Sequence, residues 1–191
     1  MLDALLGSAP RPRGASSGVG PTIGAPACPP WLTPVRDLVF ARRTETGRKN
    51  GGGRVEGSAA RAEGKRFERR VTAALLERFP FLLVEPGFRF RDRFGERTCF
   101  PDAVLRFNDR TVVVEVKSRG TQVGDAWWQL ERYYRPVVEA TFPSDPVFTV
   151  AVVRRIDPMA FSAFTVRPAE ATDLGAPLPA PFSVMEWSSQ V

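Results

Sequence analysis

The stretch Thr111–Lys117, TVVVEVK, constrains the fold more than any other part of the chain. Four valines and a threonine favour an extended strand, because β-branched side chains are stiff and pack well on a pleated surface. Side chains alternate along a strand, so Val112, Val114 and Val116 share one face and Val113, Glu115 and Lys117 the other. The valine face belongs in a core. The other face carries an acid and a base into the same strand, where an unpaired buried charge is costly, so it has to meet something polar. Just upstream, the strand-like Thr98–Phe107 (TCFPDAVLRF) is joined to it by the turn residues Asn108, Asp109 and Arg110. A hairpin of the two brings Asp102 toward Glu115. Two carboxylates at such range repel unless a shared proton or a cation resolves them.

The surroundings of this hairpin read as alternating helices and strands. Ser58–Phe79 is expected to be a helix, with Ser58 as its cap, an apolar stripe of Phe67, Val71, Ala74, Leu75 and Phe79, and a stop at Pro80. Phe81–Phe94 reads as a strand or bent hairpin, with Gly87 and Gly95 as turn signals. A second helix is expected from about Gly124 to Tyr134, and Pro146–Ile156 reads as a strand apolar enough to be central. The order helix, three strands, helix, strand predicts an α/β fold with a mixed central sheet flanked by helices. Residues 1–56 are rich in Gly and Pro and read as a flexible N-terminal arm and linker, although Val35–Arg43 has the makings of a short helix or strand. Residues 57–191 read as the domain, with a Pro-rich C-terminal extension.

Composition narrows the chemistry. There is no histidine, which removes histidine acid–base catalysis and histidine-ligated zinc. Two cysteines, Cys28 and Cys99, cannot build a four-cysteine zinc or iron–sulfur site. A metal would be held mainly by oxygen, which selects magnesium, manganese or calcium. The net charge of +6 is the electrostatic footprint of a nucleic-acid binder. No apolar run approaches a membrane span, and no secretory signal is read at the N-terminus. The expected compartment is the cytoplasm of a cell or infected host.

The Pro101-Asp102 pair followed by the strand Glu115-Val116-Lys117 resembles the PD-(D/E)XK nuclease superfamily, which has a restriction-endonuclease-like αβββαβ core. The helix segment EGKRFERRV is similar to the first helix of that fold, with Glu68 at the matching position and Glu63 a weaker candidate. EVKSR resembles the same strand in archaeal Holliday-junction resolvases. Gln129 and Tyr133 in QLERY resemble the Q-x-x-x-Y element of the RecB-like branch. The resemblance covers roughly residues 57–156. It implies that Asp102, Glu115, Glu68 and the Val116 carbonyl hold Mg²⁺ or Mn²⁺, that Lys117 acts on the attacking water or the transition state, and that Gln129 positions the site. Lys65, Arg66, Arg119, Arg132 and Tyr133 are the expected nucleic-acid contacts.

The expected activity is therefore metal-dependent hydrolysis of DNA, structure-dependent or end-processing rather than strongly sequence-specific. The Q-x-x-x-Y element favours DNA ends or single strands; the small size and EVKSR favour branch cutting by a homodimer. The alternative is a nuclease-fold protein that binds DNA without cutting it, within a replication, recombination or packaging assembly; the proline-rich ends favour that reading. Each residue also has a plainer structural role available: a cross-strand ion pair for Glu115 and Lys117, a turn for Asp102, a solvated helix face for Glu68, and packing for Gln129, Tyr133, Trp127 and Trp128.

Overall fold

The computed structural model describes residues 26–45, 59–155 and 171–187. The cap Ser58, residues 1–25 and 46–57, and most of the expected C-terminal extension (156–170 and 188–191) lie outside the described residues. In chain order the elements are β1 (Phe40–Arg43), α1 (Ala59–Arg78), β2 (Leu83–Val84), β3 (Phe88–Asp92), β4 (Gly95–Cys99), β5 (Ala103–Arg106), β6 (Thr111–Lys117), α2 (Val123–Gln129), a π turn (Leu130–Tyr134), α3 (Arg135–Thr141), β7 (Val147–Val153) and β8 (Phe182–Glu186). Among the described residues no helix is long and apolar enough to cross a membrane.

The fold is α/β, with two sheets. The larger runs β2-β5-β6-β7-β8, antiparallel as far as β6 and parallel from β6 to β8. The smaller is antiparallel, in the order β1-β3-β4. The expected continuous strand over Thr98–Phe107 is thus two strands in different sheets: Cys99 closes β4 and Ala103 opens β5. Pro101 stands at the crossing. It has no N–H to give a ladder, so neither strand can run through it.

β6 is the middle strand of the larger sheet, and every residue of it but Lys117 is buried. Phe67, Val71 and Leu75 of α1 recur every four residues and cover Val112, Val114 and Val116. Burial of each such side chain contributes roughly 1.5–3 kcal/mol. Pro80 disfavours helical backbone at Phe79, and α1 ends with the Phe79 N–H bonded to the Leu75 carbonyl. The opposite face, which the sequence reading left open to polar surroundings, is largely covered by the second helix: Val113, Ala151, Val153 and Val184 pack with Val123, Ala126, Leu130, Val137 and Val138.

That second helix extends past Tyr134 to Thr141 and contains the π turn, where the Arg135 N–H reaches the Leu130 carbonyl. Pro136 explains the irregularity. In a regular α-helix residue 136 would donate to the carbonyl of Arg132, which proline cannot do. The Val35 N–H takes that carbonyl instead, at 2.8 Å. Residues 26–45, assigned from sequence to the arm, accordingly pack on the fold. β1 pairs with β3, and the Trp128 indole N–H donates to the Pro26 carbonyl at 2.6 Å. In the β3–β4 turn Gly95 has φ +103°, a conformation that favours glycine, while the Phe94 N–H donates to Asp92 Oδ1.

Arg135 ties the helix to the sheet. Its guanidinium donates to Glu131 Oε1 and to the carbonyls of Val147 and Pro181, at 2.7–3.1 Å. Both side chains of the ion pair are less than a fifth exposed. Arg135→Met is expected to cost about 3 kcal/mol, because it strands a largely buried carboxylate. The double variant Glu131→Leu/Arg135→Met should recover most of that loss. Urea melts of the two variants check this.

Candidate active site

Asp102 sits where the chain passes between the sheets. Its Oδ2 accepts the Val116 N–H at 2.7 Å, and its carbonyl accepts the Glu85 N–H at 2.9 Å. The β5–β6 register, Ala103 opposite Val114, puts Asp102 beside Glu115. Glu115 is 5% exposed. Its Oε1 accepts from Lys117 Nζ at 2.7 Å, whereas its Oε2 is buried with no hydrogen-bond partner. Lys117 Nζ also donates to Gln129 Oε1, at the last residue of α2. The structure thus joins Asp102, Glu115, Lys117 and Gln129 in one cluster.

The cluster adjoins a cleft of about 480 Å³ lined by Glu68 and Lys65 of α1, Val116 and Lys117 of β6, and Arg119 beyond it. Ala60, Arg61, Gly64, Ser118 and Gln122 complete the lining, and none of them was expected at the site from sequence. Gly64 allows α1 to approach: a Cβ there would stand 3.4 Å from Ser118 Oγ. Glu63 points elsewhere and pairs with Arg154 at 2.7 Å, with Arg66 close by.

Burial, then the charge of Glu115, then that of Glu68 push the Asp102 carboxyl well above the usual carboxylate range; the Val116 N–H and Lys117 oppose this only in part. For Lys117, burial alone would lower the ammonium. Glu115, by charge and hydrogen bond, and then Asp102 and Asp125 outweigh it, so the net shift is upward. Lys117 is therefore a cation at neutral pH. It can donate hydrogen bonds and stabilise negative charge; it is not poised to take a proton.

Of the Q-x-x-x-Y element, Gln129 reaches Lys117 and Tyr133 takes a packing position. Tyr133 packs against Phe90 and under the Arg97 guanidinium. Tyr134 is the buried one: its hydroxyl donates to the Phe100 carbonyl at 3.4 Å, and after burial it is Glu115 and Asp102 that raise its pKa. Arg132, another expected nucleic-acid contact, stacks over Trp127.

The donor set fits a hard cation. Glu115 Oε2 is an orphaned buried acceptor, Asp102 is beside it, and both are oxygen ligands. Among the described residues no group of three or more acidic, cysteine or histidine side chains converges for metal binding. A cation here would complete its shell with backbone oxygen and water, which suits magnesium. No protein-family model, no curated protein and no solved structure matches the chain.

A carboxyl with a raised folded-state pKa stabilises the fold below its unfolded pKa, and that contribution is lost as pH rises through the folded value. In EDTA, Asp102→Asn is therefore expected to melt above the wild type at pH 7–8, the gap closing toward about pH 4, the ordinary carboxylate range. Mg²⁺ or Mn²⁺ should raise the melting temperature of the wild type but not of Asp102→Asn. Thermal melts across pH, with and without the ion, give both results.

Proposed function

We propose that this chain is a divalent-metal-dependent nuclease of the PD-(D/E)XK class, acting on DNA with little sequence preference. One observation carries the reading: a buried carboxylate with an unpartnered oxygen, Glu115, beside Asp102 and Lys117 at the edge of a cationic cleft. Charge repulsion within a buried acid pair is a standing cost, and a cation relieves it. The order α1, the strands β2, β5 and β6, the second helix and β7 is compatible with the αβββαβ core of that class, with β1, β3, β4 and β8 as additions.

Asp102, Glu115, Glu68 and the Val116 carbonyl are the groups that would hold Mg²⁺ or Mn²⁺. Such an ion supplies a Lewis acid for phosphoryl oxygen and lowers the pKa of water. The chain's own residues do the rest. Lys117, held by Glu115 and Gln129, presents a fixed ammonium to a phosphate oxygen as negative charge develops on it. Lys65, Arg61 and Arg119 line the approach and pair with phosphates along the strand. Tyr134 steadies the Phe100 carbonyl two residues before Asp102, which makes it a positioning residue.

The test is cleavage of linear duplex, single-stranded, nicked and four-way-junction DNA with Mg²⁺, Mn²⁺ or EDTA. Glu115→Gln and Lys117→Met are each expected to lose about 10²-fold or more in rate, the scale of removing a preorganised charge-stabilising group. Tyr134→Phe should lose a few-fold and Tyr133→Phe nothing. Absence of metal-dependent cutting on every substrate, or full activity in Lys117→Met, would sink the proposal.

A further inference from the structure

The outer face of the smaller sheet is a second cationic surface. Strand alternation places Phe40 and Arg42 of β1, Arg89 and Arg91 of β3, and Glu96 and Thr98 of β4 on one side, with the arginines exposed. The register sets Arg42 directly opposite Arg89. Like charges directly opposed across strands are destabilising, and departures from local rules are expected at functional positions. Among the described residues of these three strands Glu96 is the one acid on this face, and Arg89 engages it. That hydrogen bond and charge, followed by the charges of Arg91 and Arg42, hold Glu96 below the usual carboxylate range. Arg42 and Arg91 have no ion-pair partner among the described residues. Arg93, in the adjoining turn, is exposed and lies over the Phe94 ring. Along β3 the arginines recur at about 6.8 Å, a ladder of guanidiniums facing solvent.

We infer that this sheet face is a phosphate-backbone contact for nucleic acid, separate from the cleft. Guanidiniums match phosphate oxygens in geometry and bind them bidentately. An anion placed between Arg42 and Arg89 relieves their repulsion. β4 runs directly into the Phe100–Asp102 crossing, so the face and the acid pair belong to one unit, and a polymer reaching both gains affinity by effective concentration. The choice of nucleic acid as occupant rests on the nuclease reading; the cationic ladder itself does not.

The experiment measures binding of the full chain, carrying Glu115→Gln throughout, to a long labelled duplex in EDTA between roughly 50 and 200 mM salt. The triple variant Arg42→Thr/Arg89→Thr/Arg91→Thr keeps strand-forming residues. Its slope of log affinity against log salt is expected to fall by about 2–3, since each phosphate contact contributes about 0.9. The corresponding triple lysine variant should keep most of the slope, and the melting temperatures of both should stay near that of the parent. An unchanged slope in the threonine variant overturns the inference. So does a parent that binds no nucleic acid, or one that prefers polyglutamate, which would mark an acidic protein partner. Cutting by the wild-type chain is scored separately: a reduced slope without cutting keeps this surface and removes the nuclease, and cutting with an unchanged slope does the reverse.

Discussion

Glu115 is a carboxylate in the middle strand of a five-stranded sheet, covered on both faces. A charge in that position is tolerable only with a partner within reach. Its neighbours supply this in a particular order. Lys117 lies two residues on, on the same side of the strand, and satisfies one oxygen. Gln129 fixes Lys117 from the helix above. Asp102, fixed by the Val116 N–H, then adds a second acid where a neutral residue would be easier to hold. The cluster is built at the expense of stability, and it adjoins the cleft through Lys117.

The placement of Gln129 depends in turn on a local defect in its helix. Pro136 opens the hydrogen-bond ladder, the helix widens into a π turn, and the register of everything before it shifts relative to α3. The carbonyl freed at Arg132 is taken by Val35, which draws residues 26–45 onto the helix and positions β1 beside β3. One proline therefore links three features: which tyrosine faces the acid pair, how the N-terminal segment is docked, and the existence of a third strand in the smaller sheet.

Much of this was legible in the sequence where the signal is local. The four-residue stripe of α1, the valine strand β6, the short turn before it and the approach of Asp102 to Glu115 all follow from periodicity and turn chemistry. What escaped is non-local or depends on a break in regularity. Nothing within Phe40–Arg43 says that it pairs with residues nearly fifty positions away. A Pro-Asp pair announces a turn, but not that the chain changes sheets there. Burial of Val113 and Glu115 is decided by the helix that covers them, so alternation alone cannot tell a solvated face from a covered one. Nothing in the spacing of QLERY announces the π turn or that Tyr134 is buried with its hydroxyl on the Phe100 carbonyl.

The distribution of charge completes the picture. A net +6 spread evenly would mean little beyond solubility. Here the cations are sorted. One set, Arg61, Lys65 and Arg119, lines the cleft beside the acid pair, where its positive potential opposes that of the carboxylates. Another, Arg42, Arg89 and Arg91, stands on a sheet face where, among the described residues, Glu96 alone offsets it. By contrast, Arg97, Arg110 and Arg135 are spent on the fold, donating to backbone carbonyls or held on aromatic rings. Arginines of this last kind are largely enclosed, Arg97 and Arg110 each with a buried Nε left without a partner, so they add little outward field. The exposed ones keep their charge facing solvent, and the Arg42–Arg89 pair adds cross-strand repulsion to that, a cost the fold itself does not require.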